Sequence, residues 1–381
     1  MNMFIARKCY GSFPAMLTWL LLVLLSSQFQ PCPCYTSFVF GDSLVDAGNN
    51  NYLFTLAKAD SPPYGVDFKP SGGRPTGRFT NGRTIPDIIG QQLGAKSFPD
   101  PYLAPSVNQL ENTVHIGINY ASGASGILDQ TGMLFIGRVS MREQVNEFEQ
   151  SRSYMVEMMG ENGTMEFLKK AIFIVTTGSN DILNYVQSPP PLVMGTDDVS
   201  PLTLQDTMIT NLTLHLKRLH ELGARKLVVV GVGPLGCIPF VRAVKLIPPG
   251  QCSTEVNAIV QGYNGKLIRA LRGLNRDMGP DRSIFVYANS YDIFLNIISN
   301  HRSYGFEEAS EPCCGALPPF LCFGDPTRNS STGSVFCDDR SKYVFWDAYH
   351  PTEAANLIMA RALLDGNQSM TSPINIRQLY H

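Results

Sequence analysis

SFVFGDSLVDAGNNN, residues 37–51, places a serine just past a short apolar run. Phe38, Val39 and Phe40 are β-prone, Gly41 interrupts them, and Ser43 follows two residues later, ahead of a segment rich in Asp and Asn. In open α/β sheets, ligands collect beyond the carboxyl ends of the strands, so a serine placed there faces the usual binding crevice. The same residues also suit a turn or a helix cap, because Ser and Asp bond readily to nearby backbone groups. Taken alone, the stretch leaves both readings open.

Outward from it, apolar β-like runs alternate with helix-like segments. Candidate strands are Phe38–Phe40, His115–Tyr120, Ile172–Thr176, Lys226–Val230 and Ile284–Tyr287, each short and bounded by Gly, Ser or Asn. The helix-like segments are TIPDIIGQQLG, MREQVNEFEQSRSYMVEMM, TLQDTMITNLTLHLKRLHELG and STEVNAIVQGYNGKLIRALRGLNRDM. In the third, Met208, Leu212, Leu216 and Leu219 line one helical face, with Asn211, His215 and Arg218 on another. The alternation argues for a parallel sheet covered by helices on both sides, in one domain over residues 35–381. Two stretches read as long loops: Ser61–Thr84, crowded with Pro, Gly and Arg, and Glu308–Arg340, which holds four cysteines.

The 381 residues carry 30 Lys plus Arg against 32 Asp plus Glu, a formal net charge of -2 that offers no basic field to nucleic acid. Charged residues make up 16%, below the roughly 25% of an average domain, and 33 Gly with 26 Pro imply many irregular loops. Arg7 and Lys8 precede the apolar stretch AMLTWLLLVLLSS, so residues 1–34 read as a secretory signal peptide, cleaved between Ser26 and Thr36. No other segment is long and apolar enough to span a bilayer. Sugar-acceptor triplets begin at Asn162, Asn211, Asn329 and Asn367, in keeping with export. Setting aside Cys9, Cys32 and Cys34 leaves Cys237, Cys252, Cys313, Cys314, Cys322 and Cys337, an even set that suits disulfides. None of these forms the paired spacing of a zinc site, so no metal is expected.

A serine becomes a useful nucleophile only when a base takes its proton and a third group orients the base. Of six histidines, His115 begins a strand, His215 and His220 lie on a polar helix face, His301 sits in a loop and His381 ends the chain. His350 differs, because Asp347 precedes it by three residues and Pro351 follows it. A residue before proline is pushed from helical geometry, while Pro351 and Glu353 suit a new helix's first turn. His350 is therefore held on a loop beside a carboxylate that can accept the proton of one ring nitrogen and leave the other for Ser43. Acyl transfer also needs donors for the charge that grows on the attacked oxygen. Asn180, in TGSND, offers an amide at a strand exit, and Gly123, in ASGASG, lets the backbone present its N–H closely.

FGDS, NYASGASGI, TGSND and DAYH follow the order and spacing of the four blocks of the GDSL, or SGNH, serine esterases and lipases, and the chain resembles that family. DAGNNN, PYG, PTGRFTNGRTIPD, GPLGCIP and CC resemble its plant secreted branch, and the resemblance covers about residues 36–365. It implies an α/β fold, a three-layer α/β/α sandwich with a five-stranded parallel sheet of flavodoxin-like type. It makes Ser43 the nucleophile, His350 the base and Asp347 its orienting partner. The N–H groups of Ser43 and Gly123 and the amide of Asn180 become the oxyanion donors. Gly126 is the alternative to Gly123, which the preceding Asn-x-Ala-Ser favours. A secreted enzyme of the cell wall or apoplast is implied, acting on acyl esters of lipids or small metabolites without a cofactor. Two other readings use the same residues: an acyltransferase passing the acyl group to an alcohol, and a secreted glycoprotein that binds without turnover.

Gly231, Gly233 and Gly236 imitate a dinucleotide-binding pattern, but Pro234 and Pro239 obstruct the helix that should receive the pyrophosphate. That segment reads as a shaped loop, with Cys237 and Cys252 close enough in sequence to bridge it.

Overall fold

A computed structural model describes residues 35–105, 114–187, 199–248, 250–278, 283–315, 322 and 336–381. The proposed signal peptide and Asn329 lie outside the described residues. In chain order the elements begin with β1 (Ser37–Gly41), α1 (Ile85–Gln92), β2 (Asp100–Pro101), β3 (Ile118–Asn119), α2 (Met141–Leu168) and β4 (Ile172–Thr176). Next come α3 (Ser179–Gln187), α4 (Pro201–Glu221), β5 (Lys226–Val230), α5 (Pro239–Val244), α6 (Thr254–Met278) and β6 (Ile284–Ala288). The chain closes with α7 (Ser290–Ser299), β7 (Glu308–Pro312), β8 (Tyr343–Phe345), α8 (Glu353–Asp365), β9 (Thr371–Ser372) and α9 (Ile376–Tyr380).

The central sheet runs β2-β3-β1-β4-β5-β6-β9 and is parallel except for β9. Seven strands replace the expected five. The five expected are all present, and two-residue strands extend each edge. Asp100–Pro101 and Thr371–Ser372 contain no apolar run, so periodicity could not announce them. The strand expected over His115–Tyr120 shrinks to Ile118–Asn119 because Gly117 takes φ 102°. A Cβ there would sit 1.8 Å from the Ser37 carbonyl oxygen, so the close approach to β1 requires glycine.

The inner strands are almost wholly apolar, as burial of both sheet faces demands. Registered pairing aligns Phe38, Phe173, Leu227 and Phe285 in one row and Val39, Ile174, Val228 and Val286 in the next. Alternation sends these rows to opposite faces. The aromatic row meets Phe148 of α2, whose ring lies 5.3 Å from those of Phe38 and Phe173. That layer is completed by α4 and α6, and Met208, Leu212, Leu216 and Leu219 of α4 are all buried as their spacing predicts. The aliphatic row faces α1, α7 and α8, which pack together with α9. The result is a three-layer α/β/α sandwich.

Glu308–Arg340 is not wholly loop: β7 pairs with β8 in a second, two-stranded sheet. Three disulfides join Cys237 to Cys252, Cys313 to Cys337 and Cys314 to Cys322. Among the described residues, no helix is long and apolar enough to cross a membrane.

Candidate active site

β1 delivers Ser43 to the carboxyl edge of the sheet. The chain leaves the strand at Gly41, whose φ of 145° and whose approach to the Thr176 carbonyl, 1.9 Å from an added Cβ, exclude any side chain. Gln144 of α2 holds this exit: its Oε1 accepts from the Gly41 N–H at 2.8 Å and its Nε2 donates to the Gly41 carbonyl at 2.9 Å. Asp42 turns inward, its Oδ1 accepting from the Leu44 N–H at 3.0 Å, and burial pushes its carboxyl up to about 7. Ser43 remains partly exposed.

The opposite partner arrives on the turn after β8. Asp347 Oδ1 accepts from the backbone N–H groups of Tyr349 at 2.9 Å and His350 at 2.8 Å, closing a tight turn. The same carboxylate lies 2.8 Å from His350 Nδ1, and His350 Nε2 lies 2.7 Å from Ser43 Oγ. Ser43, His350 and Asp347 thus form one continuous hydrogen-bonded chain, linking residues 307 positions apart. Burial by itself would raise the Asp347 carboxyl. The charge and hydrogen bond of His350, with bonds from the Tyr349 amide and Tyr64, outweigh it and hold Asp347 below the ordinary carboxylate value.

Asn180, second residue of α3, donates from Nδ2 to the Ser125 carbonyl at 2.8 Å. A carboxamide carries two N–H bonds, so one orients Asn180 and the other is left to serve a ligand. Gly123 departs from the expected free donor: its N–H donates to Asp46 Oδ2 at 2.9 Å, while its carbonyl accepts from Asn50 Nδ2 at 3.0 Å. Burial raises Asp46 to about 6, although Gly48, Gly123, Asn49 and Asn50 donate backbone bonds to it. A Cβ on Gly123 would lie 2.7 Å from Phe79 Cζ, and the Phe79 ring packs 5.2 Å from the His350 ring. Asn50 Nδ2 would be equally close at 2.7 Å, so a side chain at this position would clash with both neighbours. Asp181 anchors the same loop, accepting from the N–H groups of Ile127 and Leu128 and from Thr131 Oγ1.

Three supporting residues escaped the sequence reading. Tyr64 donates its hydroxyl to Asp347 Oδ2 at 2.7 Å, Asp46 binds Gly123, and Gln144 ties β1 to the 122–125 loop through Ser125 Oγ at 3.2 Å. Only for Tyr64 and Asp46 was there a signal, their places within PYG and DAGNNN. The glycine-rich segment after β5 leads to a single turn over Leu235–Cys237 and the six-residue α5, a poor receiver for a pyrophosphate. Among the acceptor asparagines, Asn162 and Asn367 are exposed. Asn211 is half-buried and donates to the Thr207 carbonyl of its own helix.

The profile of the family described as GDSL-like Lipase/Acylhydrolase matches residues 38–363. A GDSL esterase/lipase of Arabidopsis thaliana is 62% identical over 348 residues, covering 91% of this chain and 93% of the relative. Two others from the same plant are each 47% identical, covering 90% of this chain and 90% of their own. With a family match running from β1 into α8, and relatives this similar along nearly the whole length, the chain belongs to the GDSL-like lipase/acylhydrolase family.

Proposed function

We propose that this protein hydrolyses acyl esters through an acyl-enzyme on Ser43. The coarser statement, a serine hydrolase acting on ester bonds, follows from the family match and the names of the relatives. The finer one is carried by a single observation: Ser43 Oγ, both ring nitrogens of His350 and Asp347 lie in line at 2.7 and 2.8 Å. His350 Nε2 takes the Ser43 proton as Oγ attacks the carbonyl, and Asp347 holds the imidazolium that forms. The tetrahedral oxyanion is met by the Ser43 N–H and the second amide hydrogen of Asn180. Gly123 is the third proposed donor, its N–H bonded to Asp46 Oδ2 in this structure. His350 then gives the proton to the leaving alcohol and activates water for deacylation. No step calls for a cofactor.

Export is part of the proposal. Residues 1–34 act as the signal, Asn162, Asn211, Asn329 and Asn367 are the acceptor sites, and the enzyme works outside the cell. Three disulfides support an oxidising compartment.

Ser43→Ala is expected to abolish turnover of a p-nitrophenyl ester while secretion and thermal melting stay near wild type. Turnover persisting in this variant, measured against an empty-vector preparation, would overturn the mechanism.

A further inference from the structure

We propose that the acyl tail of the substrate is taken up by an apolar cavity between the sheet and the α1/α8 layer, which selects medium-length unbranched acyl chains. The inference rests on the esterase reading and concerns the same site. Leu44, Ser179 and Tyr349 line one end of the cavity, and each is the chain neighbour of a proposed catalytic or oxyanion residue: Ser43, Asn180 and His350. Ile174 and Val228, from the aliphatic row of the sheet, form one wall. The other is the face of α8 that presents Met359 and Leu363.

Depth follows from helix geometry. α8 starts at Glu353, three residues beyond His350, and Leu363 lies ten residues further on, about 15 Å along the axis. The cavity therefore runs from the catalytic edge down beneath the strands. Two of its polar neighbours are occupied, Ser290 donating to the Gly231 carbonyl and Asn356 to the Arg83 carbonyl at 3.0 Å, while the buried hydroxyl of Thr177 on its wall has no partner among the described residues. The rest of the lining is mostly apolar and suits hydrocarbon.

The chemistry distinguishes acyl tail from leaving alcohol. The alcohol must depart and be replaced by water beside His350, which a mostly apolar cavity beneath the strands would hinder. The acyl group stays bonded to Ser43 until deacylation, so only it can occupy a dead end. The volume is about 90 Å³, room for roughly six to nine water-sized bodies and hence for a tail of on the order of eight carbons.

A series of p-nitrophenyl esters from acetate to palmitate tests this on the full-length secreted protein. kcat/KM should rise roughly fourfold per added methylene and break near the octanoate. Leu363→Trp should move the break to shorter chains and Met359→Ala to longer ones, the octanoate-to-acetate ratio falling at least about tenfold in the first. Should Leu363→Trp fail to accumulate, the wild-type profile and Met359→Ala decide. A flat series, or a break that neither variant moves, overturns the cavity assignment while Ser43-dependent acetate hydrolysis leaves the esterase reading standing. Acetate hydrolysis that survives Ser43→Ala would instead defeat the esterase reading itself.

Discussion

Asp347 is held by more than its histidine. Besides His350 Nδ1 it receives two backbone N–H groups and the Tyr64 hydroxyl, so the carboxylate has no freedom to swing away from the ring. Tyr64 is thus a positioning residue acting through Asp347. Tyr64→Phe removes one bond to a charged acceptor, about 1.5 to 3 kcal/mol of stability, so the melting temperature should fall by a few degrees and kcat by about tenfold or more, with KM unchanged. A fall in melting temperature with kcat unchanged would reduce Tyr64 to packing. Ser43, Asp347 and His350 were legible because each carries a local mark: a serine past a strand, a carboxylate three residues before a histidine, a proline after it. Tyr64 was marked only by its place within PYG, and its partner was not legible, since the contact spans 283 positions.

At the scale of elements, the 61–84 segment proves to be a strap across the turn that carries His350. Phe79 packs on His350, Thr80 Oγ1 donates to the Pro351 carbonyl at 3.0 Å, and Arg83 pairs with Glu353 at the start of α8. The strap is locked by Arg78, which lies over the Phe68 ring and grips Asp87 of α1 with two bonds at 2.7 and 3.0 Å. Burial would raise Asp87, but the charge and bonds of Arg78, with help from Thr84, hold it below the ordinary carboxylate value. Arg78→Met should therefore strand a buried carboxylate and cost about 3 to 5 kcal/mol in a urea unfolding experiment. A loss under about 1 kcal/mol would mean that Thr84 alone satisfies Asp87. The second half of the frame is β7, whose following residues Cys313 and Cys314 donate their N–H groups to the Phe345 and Trp346 carbonyls. Glu308–Pro312 reads as loop because Glu, Ser and Pro dominate it, and only the partner strand β8 makes it extended.

Across the whole molecule, two groups of carboxyls pull stability in opposite directions with pH. Burial raises Asp42 to about 7, Asp46 to about 6 and Glu147 to about 8. From about pH 4 upward the folded chain keeps protons that the unfolded chain has released, so stability falls as pH rises through these values. Asp347 and Asp87 are lowered, as is Asp67 beside Arg340, and their contribution is present above an ordinary pKa of 3.8 and lost as pH falls below it. Thermal melting followed across pH should therefore peak near about pH 4 to 5 and decline towards pH 8. A melting temperature that climbs steadily from pH 5 to 8 would contradict this balance.

What the sequence determined by itself is whatever is encoded locally. Apolar runs of strand length, helical faces such as that of α4, and the marked positions of Ser43, Asp347 and His350 depend on neighbours within a few residues, so they can be read before the chain folds. What the tertiary structure decided is where backbone and buried groups find partners. The edge strands β2 and β9, the engagement of the Gly123 N–H by Asp46, the Tyr64 bond and the cavity along α8 all join segments far apart in the chain. The physical reason is that every buried donor and acceptor must be matched. Which group matches which is settled only when packing brings them within reach.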